Sequence, residues 1–408
     1  MPIAPASLDP APAGRAHVIA DDAEALRVAA GLAAEFAPGA AVRDAERRLP
    51  VGELDRLSAS GLLGIFVPAA HGGADVRART LAEVFRLLAH ADPNIAQIPQ
   101  SHFAYVNVLR HQGSADQQAF LFAEILAGRR LGNAQSEPGT RHIQDIRTTL
   151  IGQGDGTYTL TGLKGYSTGA LFADWIPVLA HLGPDGPLHV AYVQRHAAGV
   201  TVIDDWAGMG QRTTASGTVR LDGVRVTTER IVPHHLTFTG PQLYGAVAQL
   251  LHAAIDVGIA GAALDDGADF VRTKSRPWFE SGADQASEDP LIIQRIGELA
   301  IAVRGAEALL VHAANEIDTA GEDLTAESAG RASIAVATVR AASAKVAVDV
   351  ASALFEVSGT RSSLDELNLN RHWRNARTHT LHDPAVWKVQ HVGRYTLNGT
   401  LPPRHGLL

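Results

Sequence analysis

The sequence predicts a mainly α-helical protein with a β domain in the middle of the chain. Apolar residues recur at helical spacing near both ends, and polar and apolar residues alternate between frequent turns from about Thr148 to Ile231. The C-terminal helical patterns are long, which is typical of an up-down bundle. The expected organisation is a flexible arm over residues 1–20, an N-terminal helical domain over 21–131, a middle β-barrel or sandwich over 132–238, and a C-terminal four-helix bundle with a tail over 239–408.

Five helices are expected in the N-terminal domain. Apolar residues follow helical spacing around residues 25–34, 54–63, 81–88, 94–110 and 115–126. Asp21 or Asp22 can cap the first helix, and Ser114 with Gln117 forms a capping box before the fifth.

Short β-strands separated by turns are expected in the middle domain. Asp155-Gly156 and Asp222-Gly223 are turn pairs. Strands are predicted at Trp175–Leu179, Val190–Val193 and Val219–Val226. We expect them to be antiparallel, because turns this short join neighbouring strands that run in opposite directions.

Three long helices are expected after the β domain, at Leu243–Val271, Pro290–Thr319 and Ala326–Val357. Glycines on two of them lack a side chain that would hold a neighbouring helix away. We therefore expect close helix packing at Gly258, Gly261, Gly297 and Gly305.

The composition excludes several classes of protein. Hydrophobic residues make up 46% of the 408 residues, which excludes wholesale disorder, and the net charge of −8 argues against a nucleic-acid binder. The chain has no cysteine, which removes disulfides, thiolate zinc sites and cysteine nucleophiles. Residues 1–20 lack the pattern of a signal peptide, and no run reaches the ~18–20 apolar residues that span a bilayer. We expect a soluble, cytoplasmic protein whose partners include neither a membrane nor nucleic acid.

Three common kinds of site are not expected. No His-Glu-x-x-His motif occurs, and the closest histidine pairs have no further metal ligand at a suitable spacing. Gly165–Gly169 matches the Gly-x-Ser-x-Gly pattern of hydrolases, but a strand follows it where those enzymes have a helix. The glycines of Gly152–Gly156 lie between strands, so we expect a hairpin turn there and not a nucleotide loop.

Polar side chains concentrate in a few stretches that are candidates for ligand contacts. Residues 371–384 contain three arginines and three histidines, which suit a phosphate-bearing ligand, and a solvated basic face is the alternative. Arg272–Trp278 carries further cations that could clamp a phosphate. Gly132–Gly139 and Lys164–Gly169 offer short hydroxyl and amide donors for the edge of a heterocycle. Trp206 could stack on a ring, although a buried aromatic is an equal alternative.

Two motifs and the domain order resemble the acyl-CoA dehydrogenase superfamily. Gly61–Gly73 is similar to its N-terminal signature, and Gly208–Gly217 is similar to its middle-domain motif. Together with the domain order, the resemblance covers about residues 20–400. It implies the fold of that superfamily.

The C-terminal motif resembles one branch of the superfamily, the reduced-flavin monooxygenases, which include dibenzothiophene monooxygenases and sulfur-acquisition oxidoreductases. Acyl-CoA dehydrogenases commonly place a catalytic glutamate in this region, whereas this chain has the histidine-rich stretch Arg374–Pro384. The branch implies a two-component homotetramer that uses O2 and FMNH2 from a separate NAD(P)H-dependent flavin reductase. It also implies that a small neutral sulfide, sulfoxide or sulfone is oxygenated through a C4a-hydroperoxyflavin.

The resemblance implies roles for single residues. His382, His102, Ser167 and Asn133 would act at the reacting end of the flavin. The resemblance implies no metal. The residues implied to contact the flavin are Tyr105, Asn133, Ser136, Lys164, Ser167, Trp206, Lys274, Ser275, Arg276, Thr360, Arg361 and His382.

Some of these implied contacts are more specific. Arg276, aided by its two preceding residues, would hold the flavin phosphate, and Thr360 with Arg361 would reach the site of a neighbouring subunit. Tyr105 lies beside Val106, where the branch has an aromatic residue.

Two other functions stay open at the level of the sequence. One is an acyl-CoA dehydrogenase with tightly bound FAD, in which Glu280 or Glu298 supplies the base from another helix. The other is a flavin-binding or helical assembly protein without catalysis, which would leave the polar stretch at 371–384 without a purpose.

Overall fold

Seven helices form the N-terminal part of the chain in the structure, a computed structural model that describes residues 16–408. The arm expected over residues 1–20 lies outside the described residues up to position 15. Residues 16–20 are packed and not loose, because Ile19 is buried and the His17 N–H donates to the Ala59 carbonyl oxygen at 3.0 Å. The helices are α1 (Asp22–Phe36), α2 (Ala40–Glu46), α3 (Val51–Ala59), α4 (Ala78–Ala91), α5 (Pro93–Gln97), α6 (Gln100–Gln112) and α7 (Ala115–Leu126).

Local capping signals set the ends of these helices. The Asp21 carboxylate accepts from the Glu24 N–H and caps α1, and Ser114 with Gln117 forms the expected capping box of α7. These two predictions are confirmed.

The prediction of a single helix over residues 94–110 is wrong, because two helices, α5 and α6, occupy this stretch. Asp92 caps the short α5, and the chain breaks at Pro99 before α6 begins. Proline has no N–H with which to continue the hydrogen-bond pattern of a helix. The break matters for the site, because it lets α5 and α6 place side chains independently.

The described residues form a sheet of seven strands in the middle of the chain. The strand order is β5-β6-β2-β1-β3-β4-β7, and the neighbouring pairs are antiparallel as expected, except that β1 and β3 run parallel. The hairpin predicted around Gly152–Gly156 joins β1 to β2, with two of its glycines at positive φ. The strands are β1 (Thr149–Gly152), β2 (Thr157–Lys164), β3 (Trp175–Leu182), β4 (Leu188–Gln194), β5 (Val200–Ile203), β6 (Thr218–Thr227) and β7 (Ile231–Val232).

Five helices form the C-terminal part. The central one, α8, packs against α9, α10 and α11 and also against α4 of the N-terminal domain, while α12 packs on α10. The expected helix–β–bundle fold is therefore confirmed. The helices are α8 (Tyr244–Thr273), α9 (Pro290–Glu322), α10 (Ala326–Ser358), α11 (Asn370–His379) and α12 (Ala385–Asn398).

Glycines permit close helix contact at one of the two predicted places. A Cβ on Gly258 would lie 2.7 Å from the Ala89 Cβ, and one on Gly261 would lie 3.2 Å from the His90 ring, so α8 approaches α4 closely there. Gly297 and Gly305 of α9 have no such neighbour within 4 Å, and the prediction of close packing is wrong for them.

Two helical stretches are long and apolar enough to cross a bilayer: Asp22–Glu46 and Tyr244–Thr273. By length and composition, the prediction that no such stretch occurs is therefore wrong. The apolar window of Tyr244–Thr273 is 89% buried inside the fold. Its apolar composition follows from its position as the central helix of the bundle.

Candidate active site

A cavity of about 600 Å³ lies where the β domain meets helices α5, α6, α8 and α11. Its walls are largely polar on the β side and carry imidazoles on the helical side. The part of its lining that matters for chemistry comprises Gln97, Asn133, Ser136, Tyr166, Thr168, Trp206, Gln211, Ser216, His252 and His382. The size suits a ligand as large as a cofactor or drug-sized molecule.

Asn133 reaches the cavity because the chain leading to it is paired with β3. The N–H groups of Gly132 and Ala134 donate to the Trp175 and Pro177 carbonyl oxygens at 2.9 and 3.1 Å. Side chains alternate along such an extended segment, and Ala134 is packed in the core of the sheet. Asn133 therefore projects from the opposite face and lines the cavity.

Two loops of the β domain form the rest of this wall: the first follows β2, and the second joins β5 to β6. The Ser167 N–H donates to the Gly217 carbonyl oxygen at 3.0 Å, and the Thr168 and Ser216 hydroxyls lie 2.6 Å apart. Three non-glycine residues in these loops have left-handed backbone, namely Tyr166, Gln211 and Ala215, with φ values of 52°, 51° and 47°. Such strained conformations persist only where the surroundings enforce them, and they concentrate at functional sites.

Helix α11 holds the second of these loops in place. The Asn375 side chain accepts from the Gln211 N–H at 2.7 Å, and the Thr378 hydroxyl accepts from the Gly210 N–H at 3.1 Å. A Cβ on Gly210 would lie 1.9 Å from the Arg374 carbonyl oxygen, so only glycine permits this approach. The arginine-rich stretch is thus a docking helix for the loop and not a solvated basic face.

Three histidines from two parts of the chain meet on the helical side of the cavity. His252 of α8, His379 at the end of α11 and His382 just beyond it each offer a ring nitrogen, and these atoms lie within 4.8 Å of one another. The His252 Nδ1 and the His379 Nε2 are 3.1 Å apart. The Gln97 side chain lies between His379 and His382, at 3.1 and 3.2 Å from their Nε2 atoms.

Buried charges lie directly behind these histidines. The Asp256 carboxylate is 2.6 Å from the His379 Nδ1 and also pairs with Arg340. Arg340 pairs in addition with Asp383 at 3.3 Å, and Lys388 lies 3.1 Å from the same carboxylate. The two cations and two carboxylates compensate one another, as burial of charge requires.

The histidines at the cavity wall are held neutral. Burial and the nearby His382 and His379 hold the pKa of His252 well below its ordinary value. The protein atoms packed around His382, and then His379, lower its pKa to about 4, although one side of the ring opens to the cavity. Near neutral pH both rings therefore act as neutral hydrogen-bonding groups.

Buried polar atoms without a partner among the described residues mark the β side of the site. They include the Asn133 Oδ1, the Ser167 Oγ and the Gln211 Oε1. A buried polar atom costs free energy when it is unpaired, so such a group points to a missing ligand with matching donors and acceptors. A flavin has these donors and acceptors along the edge of its ring system, and the residues present fit that group.

The structure brings some of the predicted site residues together. Asn133, Ser136, Trp206 and His382 all line the cavity, and the Trp206 indole is fixed by a 2.7 Å hydrogen bond to the Gln211 carbonyl oxygen. Ser167 is buried between two of the lining residues, Tyr166 and Thr168. No histidine or carboxylate among the described residues contacts the Ser167 Oγ, so it lacks the base that a hydrolase nucleophile needs.

Lys164 lies behind the wall instead of in it. Its ammonium is buried against Glu137 at 2.8 Å and against the Gln135 and Leu179 carbonyl oxygens. Burial lowers the pKa of Lys164 to about 8. Its geometry supports the loop that carries Ser136, and the structure places no direct ligand contact on it.

His102 and Tyr105 do not reach the cavity, which corrects the expectation that they act there. Both ring nitrogens of His102 are taken by backbone: Nε2 lies 2.9 Å from the Leu63 carbonyl oxygen, and Nδ1 accepts from the Leu131 N–H at 3.1 Å. Tyr105 is buried edge-on to Tyr192. α6 turns the face that carries both residues toward the N-terminal core, so both have structural roles.

The predicted phosphate-binding residues also lie away from the cavity. Three of them follow α8, whose 22 residues from His252 to Thr273 span about 30 Å at the usual rise of an α-helix. The Ser275 hydroxyl donates to the Ser358 carbonyl oxygen at 3.1 Å, which brings the two distant predicted groups beside each other. The residues concerned are Lys274, Ser275, Arg276, Thr360 and Arg361.

A free carboxylate base is absent from the cavity among the described residues. Glu137 is engaged by Lys164 and Thr148, and Asp383 is engaged by two cations. Glu280 is exposed and accepts from the Trp278 indole, and Glu298 is exposed on α9. Neither of these two glutamates lines the cavity.

The sequence did not indicate His252, Asp256 or Gln97 as residues of the site. His252 and Asp256 stand inside an apolar helix, and Gln97 stands in the short α5, each more than 100 residues from His379. One signal was present in the sequence: His252 and Asp256 stand four residues apart among mostly apolar neighbours, so they face the same side of the helix.

Comparisons with known proteins agree with the fold. The acyl-CoA dehydrogenase N-terminal and C-terminal domain families match residues 21–129 and 250–386. The dibenzothiophene monooxygenase of Rhodococcus qingshengii is 35% identical over 398 residues, which cover 94% of this chain and 95% of that protein. This chain belongs to the monooxygenase branch of the acyl-CoA dehydrogenase superfamily. The family expected from the motifs is thereby confirmed.

Two further proteins extend this similarity. The probable FMNH2-dependent monooxygenase SfnC of Pseudomonas putida is 31% identical over 385 residues, covering 93% of this chain and 96% of that one. The crystal structure of FMN-bound TdsC from Paenibacillus sp. A11-2 superposes with a TM-score of 0.89 at 30% identity, and it covers 94% of this chain and all of that chain.

We expect acid to destabilise this monooxygenase through its buried histidines. Burial lowers the pKa of His102 to about 4, so between about pH 6.5 and pH 4 the unfolded chain binds a proton that the folded chain does not. The free energy of unfolding should therefore fall with falling pH in that window, by up to about 1.4 kcal/mol per pH unit for each such histidine. Unfolding midpoints measured from pH 7.5 to 4.5 test this.

His102→Gln is the matched variant for this prediction. Glutamine offers a donor for the Leu63 carbonyl oxygen and an acceptor for the Leu131 N–H but has no proton to gain. Its midpoint should fall less steeply with acid. Identical slopes for the two proteins would contradict the role given to His102.

Proposed function

We propose that this protein is the oxygenase component of a two-component monooxygenase, which uses FMNH2 and O2 to oxygenate a small neutral organosulfur compound. The observation that carries the proposal is the cavity itself: unpaired buried amide and hydroxyl atoms on one wall and neutral imidazoles on the other. The named functions of the relatives support it, since dibenzothiophene is an organosulfur compound, SfnC is described as FMNH2-dependent, and TdsC binds FMN.

The β wall suits the ring system of the flavin. Asn133, Ser167 and Gln211 offer an amide oxygen, a hydroxyl and a second amide oxygen that no residue of the described chain satisfies. Trp206 is fixed beside them and presents a flat apolar surface. When bound, reduced FMN supplies the activation of O2, and the chain's own task is to bind, orient and shield it.

The helical wall suits the reacting side. His382 donates its Nδ1–H to the His379 carbonyl oxygen at 2.6 Å, so its neutral ring keeps a lone pair on Nε2. Gln97 lies 3.2 Å from that atom and fixes the ring. We propose that His382 and Ser167 border the reacting atoms, and that Asn133 orients the flavin edge.

A neutral substrate is supported by the rest of the lining. Ile143, Leu381 and Leu407 supply apolar surface, and the charged lining residues are Glu137 and Asp383, both of which are already paired with cations. A charged substrate would therefore enter a site without a free counter-charge. The same absence of a free carboxylate disfavours the acyl-CoA dehydrogenase alternative, because that reaction needs a base for the substrate proton.

A homotetramer is supported by exposed apolar side chains on two bundle helices. On α12, Val386 and Leu397 are 70% and 83% exposed, and on α9, Leu291 and Ile301 are 75% and 72% exposed. Exposed apolar side chains that form one patch typically mark an interface, and these four are the candidates for such a contact. In such an assembly, the ends of α8 and α10 in one subunit would bring Arg276 and Arg361 to the flavin phosphate of a neighbour.

We propose a separate flavin reductase as the remaining partner, because the relative SfnC is described as FMNH2-dependent. The proposed setting is the cytoplasm, where such a reductase has access to NAD(P)H. FMN is the proposed flavin and FAD the alternative.

The proposal is tested by supplying the purified protein with FMN, NADH, a flavin reductase and a panel of sulfides, sulfoxides and sulfones. We expect O2 uptake with formation of an oxygenated product, and incorporation of ¹⁸O from ¹⁸O2. Titration of the apoprotein with FMN and FAD should show tighter binding of FMN. Production of H2O2 alone across the panel, or reduction of tightly bound FAD by an acyl-CoA, would overturn the proposal.

Ser167→Ala separates ligand binding from folding. The Ser167 Oγ has no partner in the free protein, so its removal should leave the unfolding midpoint unchanged or slightly higher. The dissociation constant of FMN should rise about two- to tenfold, because one neutral hydrogen bond contributes about 0.5–1.5 kcal/mol. Fluorescence titration and thermal unfolding measure the two quantities.

Ser216→Ala is the matched control for this prediction. Its hydroxyl lies 2.6 and 2.7 Å from the Thr168 and Thr214 hydroxyls, so this variant should lose stability, whereas Ser167→Ala should not. Unchanged FMN affinity in Ser167→Ala would argue against flavin contact at this atom.

Co-expression of two inactive variants tests whether Arg276 serves a neighbouring site. Arg276→Ala removes the proposed phosphate contact, and His382→Ala removes a cavity residue of the same subunit. If Arg276 acts across the interface, hybrid tetramers should recover activity at about one quarter of their sites, by random pairing of subunits. Doubly tagged hybrids that are no more active than either parent would place both residues in one site.

A further inference from the structure

His252 stands at the cavity end of a chain of three side chains that runs into the protein. The Asp256 Oδ1 lies 2.6 Å from the His379 Nδ1, and the His379 Nε2 lies 3.1 Å from the His252 Nδ1. Asp256 and His379 are fully buried, whereas His252 lines the cavity. The chain therefore connects a buried carboxylate to the ligand site through two imidazoles.

The hydrogen-bond roles along this chain follow from its buried end. Arg340 pairs with Asp256 and, with His379, holds the pKa of that carboxyl below its usual value against the effect of burial, so Asp256 is an acceptor only. The His379 Nδ1 must then carry a proton and donate it. The Gln97 oxygen is 3.1 Å from the His379 Nε2, so that nitrogen donates as well when the amide keeps this orientation.

The orientation of the Gln97 amide has a second consequence. Its nitrogen lies 3.2 Å from the His382 Nε2, and the His382 Nδ1 lies 2.6 Å from the His379 carbonyl oxygen. Both ring nitrogens of His382 are therefore engaged within the protein. His252 differs, because its Nε2 has no hydrogen-bond partner in the described part of the chain and the residue lines the cavity.

We propose that His252 is the residue that exchanges a proton with the bound ligand, and that His379 and Asp256 are positioning residues that store this proton behind it. The inference rests on the proposed function, since it gives the flavin site its proton donor and acceptor. It assigns the exchange to Nε2 of His252 and not to His382.

The proton balance of one transfer is simple. The His252 Nε2–H bond breaks as the ligand atom gains the proton, and the His252 Nδ1 takes the proton from the His379 Nε2. His379 becomes neutral and stays bonded to Asp256 through Nδ1–H. The reverse steps reload the chain, so no other reactant is needed.

The surrounding charges favour storage at His379 over storage at His252. His252 faces Arg340, Lys388, His379 and His382, and burial together with these groups holds its pKa far below the ordinary value. His379 instead contacts the Asp256 carboxylate directly. In the proposed relay, the contact with Asp256 therefore makes His379 the resting position of the proton, which passes through His252 only during transfer.

A metal ion is the competing interpretation of the three histidines, because their nitrogens lie within 4.8 Å of one another. A metal needs a lone pair from each ring, whereas the contact to the Gln97 oxygen requires a proton on the His379 Nε2. The relay therefore predicts a proton on the His379 Nε2, whereas a bound metal predicts none there.

Neutron diffraction on deuterated crystals of the whole protein measures this protonation without any turnover. We expect deuterium on both ring nitrogens of His379 and on one nitrogen of His252. A bare His379 Nε2, or a metal ion bound between the histidines, overturns the relay.

Chemical rescue tests the transfer itself. His252→Ala should lower the fraction of consumed O2 that appears in product at least about tenfold, with H2O2 rising accordingly. Added imidazole should restore coupling, and 1-methylimidazole should not, because a relay needs two exchangeable ring nitrogens. Equal rescue by both compounds, or rescue by neither, overturns the proposal.

His90→Ala is the matched control on α4, a helix that packs against the α8 helix of His252. His90 pairs with Asp265 at 3.0 Å and lies outside the cavity, so its removal should leave coupling unchanged within about twofold of the wild type. If the wild type oxygenates no substrate while both His379 nitrogens carry deuterium, the proposed function fails and the relay geometry stands.

Discussion

The buried pair of Arg340 and Asp256 is the interaction on which the site depends. Arg340 lies in α10 and Asp256 in α8, and both are almost completely excluded from solvent. Arg340 also pairs with Asp383, which follows His382 directly. Removing one member would leave an uncompensated buried charge, which typically costs about 3–5 kcal/mol. One arginine thus ties two long helices, α8 and α10, to the segment that carries the site histidines.

The β side of the site depends on a different constraint, the backbone strain of two loops. Tyr166, Gln211 and Ala215 adopt left-handed conformations that cost free energy in residues other than glycine. Hydrogen bonds from Asn375 and Thr378 of α11 hold one loop in this shape. The arginine-rich helix is therefore the part that keeps the β wall preorganised for a ligand, while its histidine end reaches the other wall.

Much of the site was predictable because its residues lie in short polar stretches. Asn133, Ser136, Trp206 and His382 were expected from such stretches and from motifs, and they line one cavity. His102 was expected there as well, but a motif position does not state which way a helix faces, and α6 turns this ring to the backbone of Leu63 and Leu131. His252 was missed because nothing within its own helix indicates a partner 127 residues away.

The sequence by itself determined the helix–β–bundle order, the caps of α1 and α7 and the family, because hydrophobic period, capping residues and motifs are local properties of a chain. Only the tertiary structure decided which histidines meet. That outcome depends on the angle and register at which α8, α10 and α11 pack, and on the break at Pro99 that turns Gln97 toward them. These are sums of many small contacts between distant residues, and no single stretch of sequence contains them.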